Sequence, residues 1–91
     1  MQKITAIFRV PDMSREQYDK VMADLDKAGM YKVPARPFHV MSLAEKGSVV
    51  VDVWDSQEAL NEFFVTLGPI LIKNGINPPQ PEIYPVHNTV A

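Results

Sequence analysis

The sequence predicts an α+β fold in the order strand–helix–strand, strand–helix–strand. Two observations carry this. Short runs rich in β-branched and aromatic residues alternate with longer runs whose apolar residues recur at helical spacing. Each longer run also opens on a residue suited to cap a helix and closes on a glycine. With 91 residues the expectation is one domain, residues 1–91.

Lys3–Val10 reads as the first strand, stopped by Pro11. Ser14-Arg15-Glu16-Gln17 has the form of a capping box, in which the Ser14 hydroxyl takes the Gln17 N–H and Gln17 reaches back. Tyr18, Val21, Met22, Leu25 and Ala28 then repeat with the period of a helix, and Gly29 is a natural terminator. After a loop over Met30–Arg36, Phe38–Ala44 forms the second strand and Ser48–Trp54 the third. Glu45-Lys46-Gly47 makes the turn between them, with Gly47 able to take positive φ. Asp55 or Ser56 caps the second helix, whose buried stripe is Leu60, Phe63, Phe64, Leu67 and Leu71. Gly68-Pro69 interrupts it and predicts a kink, and Gly75 ends it. Pro78-Pro79-Gln80-Pro81 is a stiff extended linker. Glu82–His87 is the last strand, confined to a sheet edge or a bulge by Pro85, which lacks a donor.

Two right-handed βαβ units in this order give a four-stranded antiparallel sheet with both helices on one face, the ferredoxin-like arrangement. Helices on one side leave the other face of the sheet open. The expected open face carries Ile7, Met41, Leu43, Val50 and Trp54, a patch large enough to mark an interface. The expected partner is a second copy of the chain, sheet against sheet, in a symmetric homodimer.

Composition narrows the function. A net charge of −2, with acids and bases interspersed, offers no concentrated basic face, so nucleic acid is not an expected partner. The one local basic cluster is Lys27, Lys32 and Arg36, a weak candidate anion site. The absence of cysteine removes disulfides, thiolate nucleophiles and Cys-based metal sites. His39 and His87 lack the spacing of a metal centre, and there is neither a phosphate-cradling glycine loop nor a nucleophile elbow. No run of about 18 apolar residues exists to span a membrane. Met1-Gln2-Lys3 leads straight into the first strand without the features of a signal peptide, so a cytoplasmic location is expected.

The register of the hairpin singles out one pair. If Glu45 and Lys46 alone form the loop, His39 lies directly across from Asp52 on the same face; a three-residue loop parts them. A carboxylate beside an imidazole orients the ring for use as a general base. The plainer reading is a cross-strand pair that satisfies two polar groups at a dimer interface. Arg9 and Trp54 are expected on the same face. Tyr31 is placed to rim a cleft, while Trp54 and Phe64 are candidate pocket walls.

Four blocks also carry a resemblance. Phe38-His39-Val40, Val51-Asp52-Val53-Trp54-Asp55-Ser56-Gln57-Glu58-Ala59, Leu67-Gly68-Pro69-Ile70-Leu71 and Pro85-Val86-His87-Asn88 resemble, in that order, the recurring blocks of a small bacterial family. That family lies in the dimeric α+β barrel superfamily, whose best-known branch is the antibiotic-biosynthesis-monooxygenase domain. The resemblance implies two ferredoxin-like subunits whose sheets form a barrel across a dimer. It implies pockets between sheet and helices, and chemistry ranging over metal- and flavin-free oxidation of polycyclic aromatics, haem degradation and lactone isomerisation. The haem-degrading pattern needs an asparagine on the first strand, where this chain has Thr5, so that chemistry does not carry over. No catalytic residue is inherited; the analogy is one of fold.

The expectation is therefore a small dimeric enzyme acting on an apolar or aromatic metabolite, with oxygenation free of any cofactor as its default chemistry. His39, positioned by Asp52, is the expected base, Arg9 the group that steadies the resulting anion, and Trp54, Phe64 and Tyr31 the residues around the ligand. The alternatives are a non-catalytic binding module for a small apolar ligand and a structural dimerisation domain.

Overall fold

The structure is a computed structural model and describes residues 2–90. Six elements follow in the predicted order: β1 (Ile4–Val10), α1 (Arg15–Lys27), β2 (Phe38–Leu43), β3 (Ser48–Trp54), α2 (Gln57–Lys73) and β4 (Glu82–Pro85). The strands form one antiparallel sheet in the order β2-β3-β1-β4, a ferredoxin-like α+β fold.

Local chemistry explains the boundaries. Ser14 Oγ accepts the Gln17 N–H at 3.1 Å and Gln17 Oε1 accepts the Ser14 N–H at 3.0 Å, so two orphan donors at the start of α1 are satisfied reciprocally. Ser56 caps α2 by accepting the Ala59 N–H at 3.1 Å. Asp55 is left free of that role, and its own N–H donates to the Ala35 carbonyl at 2.8 Å, tying the α1–β2 loop to the end of β3. α2 does not break at Gly68-Pro69; it runs unbroken to Lys73. Pro69 and Val65 are both exposed, so water can reach the Val65 carbonyl that loses its donor. β4 ends at Pro85, at the sheet edge beside β1, where a missing donor costs nothing.

The two helices are clamped together at their far ends. The Gln17 side chain donates to the Asn74 carbonyl at 3.2 Å, and Asn74 Nδ2 donates to Asp24 Oδ2 at 3.1 Å. That bond from Asn74, with help from Lys73, holds the Asp24 carboxyl below its ordinary pKa.

The faces of the sheet are the reverse of the expected ones. Ile4, Ala6, Phe8 and Val10 of β1 turn toward the helices, and so do Ser48, Val50, Asp52 and Trp54 of β3. Since Met41 pairs with Val50, it shares that covered side. Ile7 pairs with Val51 instead and lies on the opposite face. The open face is therefore Ile7, Phe38, Val40, Val49, Val51 and Val53. Of the expected patch only Ile7 belongs to it; Leu43 is exposed at the end of β2, and Met41, Val50 and Trp54 pack inward. The physical reason lies in Trp54. Burying the largest side chain of the strand takes most apolar area from water. Asp52, two residues away, goes in with it because its oxygens find donors there.

The β2–β3 hairpin fixes which residues meet. Leu43 pairs with Ser48, and the Ala44 N–H donates to the Gly47 carbonyl at 3.0 Å, so Glu45 and Lys46 alone form the loop. His39 is consequently opposite Asp52. Gly47 adopts φ +86°, and a Cβ there would run into the Val10 carbonyl oxygen and come within 2.6 Å of the Asp12 nitrogen. Gly29 also has positive φ, at +74°, but nothing lies within 4 Å of its would-be Cβ. Gly29→Ala should cost about 1 kcal/mol in urea unfolding, the strain of a left-handed alanine. Gly47→Ala should cost more than about 2 kcal/mol, because clash with backbone adds to that strain. Equal costs would show that the turn relaxes freely.

Candidate functional site

The pairing of His39 with Asp52 builds a chain of four polar side chains on the helix-facing side of the sheet. His39 Nδ1 and Asp52 Oδ1 are 2.5 Å apart. Trp54 Nε1 donates to the other carboxylate oxygen, Oδ2, at 3.2 Å. Tyr18 on α1 places its hydroxyl 2.7 Å from His39 Nε2, and its ring stacks on the imidazole with centroids 6.0 Å apart and planes 9° from parallel.

These partners fix the roles. Asp52 is buried, with 5% of its side chain exposed, and an ionised carboxylate only accepts. Nδ1 of His39 is then the N–H that donates to it, which leaves the Nε2 lone pair facing Tyr18. In the neutral imidazole that lone pair accepts from the Tyr18 hydroxyl. Burial raises the Tyr18 pKa, the Arg36 charge working against the rise, so the phenol keeps its proton through the neutral range. The two hydrogen bonds hold the imidazole between β3 and α1, with Nε2 toward α1.

Two spaces meet at this nitrogen. Inside, between sheet and helices, lies an apolar cavity of about 70 Å³ whose walls include Phe8, Val50, Phe63, Phe64 and Leu67. Outside, along the loop that follows α1, lies a cleft of about 430 Å³ bounded by Tyr31, Lys32, Val33 and Pro34. Tyr18, Met22, Arg36 and His39 line both and form the partition between them. The outer cleft lies within the few-hundred-Å³ range of small-molecule sites. The inner one is about half the ~150 Å³ of a cavity that accepts benzene.

The sequence-predicted residues divide. His39 and Asp52 meet as expected, although beneath the helices rather than in a sheet-to-sheet interface. Phe64 lines the inner cavity and stacks on Phe8 at 5.6 Å, and Tyr31 rims the outer cleft. Trp54 is not a pocket wall: it is fully buried behind Asp52, packed on Phe63 at 5.1 Å, and serves as a donor. Arg9 is on the wrong face. β1 alternates, and the side that buries Phe8 turns Arg9 outward, where its Nε donates to Glu82 Oε2 at 2.8 Å. Arg9 and then Tyr84 hold the Glu82 carboxyl below its ordinary pKa.

Arg36 occupies the place expected of Arg9. Its guanidinium lies 5.6 Å from the centroid of Trp54 and 5.2 Å from that of Phe63. In the sequence Arg36 belongs to the candidate anion cluster with Lys27 and Lys32, and Tyr18 to the apolar stripe of the first helix. A tyrosine in the buried stripe of a helix needs a partner for its hydroxyl, and that was the available signal.

Asp52 Oδ2 has no donor other than Trp54 among the described residues. Trp54→Phe keeps a large aromatic ring but strands that oxygen, at a cost of about 1–3 kcal/mol beyond the change in packing. The urea midpoint should fall with its slope unchanged. An unchanged midpoint would mean that the indole N–H contributes nothing to holding the carboxylate.

No protein-family model matches the chain, and no curated protein sequence matches it. Solved structures do. SnoaB, a cofactor-independent oxygenase from Streptomyces nogalater, is 13% identical with a TM-score of 0.65, over 99% of this chain and 98% of that one. A candidate antibiotic biosynthesis monooxygenase from Chloroflexus aurantiacus J-10-fl is 14% identical with a TM-score of 0.60, over 99% and 96%. A dimeric ferredoxin-like protein of unknown function from Thermobifida fusca is 16% identical with a TM-score of 0.58, over 93% and 92%. At these identities the likeness is one of fold, and the chain shares end to end the ferredoxin-like fold of the antibiotic-biosynthesis-monooxygenase-like structures.

Proposed function

We propose that the chain is a small homodimeric enzyme in which His39, oriented by Asp52, removes a proton from an acidic phenol or enol of an aromatic substrate, and that cofactor-independent oxygenation is its reaction. The observation that carries this is the hydrogen-bonded series Trp54–Asp52–His39–Tyr18, ending on a basic nitrogen at the partition between cleft and cavity. A buried carboxylate held by two donors positions the imidazole, and a neutral Nε2 accepts a proton at once. Removing the proton makes an aromatic ring electron-rich enough to react with dioxygen, so the protein's share is proton removal, orientation and exclusion of bulk water. The oxygenase among the similar structures supports this choice of chemistry. The substrate takes the place of the Tyr18 hydroxyl on Nε2, entering from the outer cleft.

Such a base contributes about 10²–10⁴-fold to a rate. With a panel of enolisable polycyclic phenols and ketones in flavin-free, chelator-treated buffer, oxygen uptake by His39→Ala should fall by that factor in kcat. Undiminished uptake would remove His39 from the mechanism. A binding module without catalysis is the second reading, favoured by one observation: Tyr18 covers the basic nitrogen at rest. It requires ligand binding with no oxygen uptake by either protein.

The homodimer follows from the open face. Val40, Val51, Ile7 and Glu82 form one row across all four strands, flanked by Phe38 and Val53 on one side and Val49 on the other. Phe38 is 51% exposed and Val40 39%. A second copy, sheet against sheet, removes this patch from water; one of the similar structures is described as dimeric. Val51 is at its centre. Val51→Glu is tolerable in a monomer, where that position is half-exposed, but buries an unpaired charge in the dimer. Sedimentation should show the unmodified chain as a dimer and Val51→Glu as a folded monomer. A monomer in both would overturn the assembly.

A further inference from the structure

We infer that the outer cleft selects aromatic carboxylates, with Arg36 gripping the carboxylate and Tyr31 and Tyr18 beside the ring. This deepens the reading of the cleft as the substrate entrance and rests on that part of it, not on His39 acting as a base.

The argument starts from what Arg36 lacks. Among the described residues no carboxylate lies within ion-pair distance of it. Its one hydrogen bond is a long 3.4 Å contact from Nη2 to the Tyr31 carbonyl. The carboxylate closest in function, Asp52, already spends both oxygens on His39 and Trp54. Arg36 is nevertheless half-buried and fixed in place. Its guanidinium carbon lies over the rings of Trp54 and Phe63, a cation–π contact with both. Ala35, its neighbour, is anchored to β3 by the Asp55 N–H.

A guanidinium held by ring contacts, with one long hydrogen bond, keeps the rest of its N–H edge for something else. That edge is a planar fork that matches a carboxylate with two parallel hydrogen bonds. Here it borders the cleft, with Lys32 adding a second positive charge on the same rim. The remaining walls are those of an aromatic or apolar body: Tyr31, Val33, Pro34, Met22 and Tyr18. A rigid ring bearing one carboxylate satisfies both halves of the site. It also presents an acidic ring substituent toward His39 from a fixed point.

The test uses a matched pair on the unmodified protein, 2-naphthoate and its neutral analogue 2-naphthylmethanol, followed by amide NMR titration. Naphthoate should shift the resonances of Tyr18, Tyr31, Arg36 and His39 and bind at least about tenfold tighter than the alcohol, a difference of 1.4 kcal/mol or more. Arg36→Gln should erase the difference, whereas Arg36→Lys should keep part of it, a charge without the fork. His39→Ala should still bind naphthoate, which separates this inference from the catalytic one. Equal affinity for the two probes, no binding of either at millimolar concentration, or shifts confined to residues outside the cleft would each overturn it. If naphthoate is preferred while His39→Ala oxygenates normally, the anion site stands and the assignment of the base falls.

Discussion

Everything at the site depends on one buried carboxylate. Taking Asp52 out of water is tolerable only if both oxygens are met by donors, because an unpaired buried charge costs several kcal/mol. The two donors come from residues that the sheet itself places: Trp54, two positions along the same strand, and His39, directly opposite on β2. Neither is adjustable without moving a strand. The imidazole is therefore oriented by the register of a hairpin, and the register by a two-residue loop that only a glycine at position 47 closes against the Val10 backbone. Tyr18 adds the last member from a helix whose start is fixed by a capping box.

The same carboxylate sets the division of labour between the two faces of the sheet. With Asp52, His39 and Trp54 turned toward the helices, these polar groups sit among the apolar residues of the covered side, while Val40, Val49, Val51 and Val53 lie on the open side beside Arg9 and Glu82. This separates two tasks that would otherwise compete for one surface. A valine-rich face offers apolar area for association, while the helix side keeps a hydrogen-bonded constellation and the spaces beside it. Arg9, on the open face, balances Glu82 at the β1–β4 edge and has no part in the site.

Much of this was legible in the chain. Element order and the Ser14 cap follow from punctuation, while the second cap (Asp55 or Ser56), the last strand (edge or bulge) and the His39–Asp52 pairing (two- or three-residue loop) were each narrowed to two choices. The face assignment did not follow, and the reason is physical. Alternation says which residues share a side, but not which side is covered, when both sides of β3 are almost equally apolar. Val49, Val51 and Val53 oppose a set whose one charge, Asp52, looks like the outward marker. The decisive fact was that Asp52 could be satisfied inside, by the imidazole opposite it and the indole two residues along. The sequence marks Arg36 only as one of a basic cluster with Lys27 and Lys32. Its role rests on two aromatic faces brought together by packing, one from β3 and one from α2. The unbroken α2 shows a related limit: a proline costs a helix most where its orphaned carbonyl is dry, and exposure, not sequence, decides that.

The dimensions of the two spaces bear on how the proposed chemistry proceeds. A polycyclic ring does not fit 70 Å³, whereas the cleft of 430 Å³ takes one without rearrangement of the sheet. The partition between them includes two side chains with rotatable arms, Tyr18 and Met22, set against a fixed imidazole and the ring-held Arg36. A substrate hydroxyl that replaces the Tyr18 hydroxyl on Nε2 exchanges one hydrogen bond for another, so the base is uncovered at little net cost. The displaced phenol, still protonated because burial opposes its ionisation, remains available to donate to oxygen atoms near the ring. On the proposed reading the inner cavity then has a different task from binding the ring. It is mostly apolar and continuous with the base, a space suited to a diatomic gas. Filling the cavity at Leu67 with a bulkier apolar side chain would on this reading slow oxygen uptake while leaving affinity in the cleft untouched, which ties the two spaces to two different substrates.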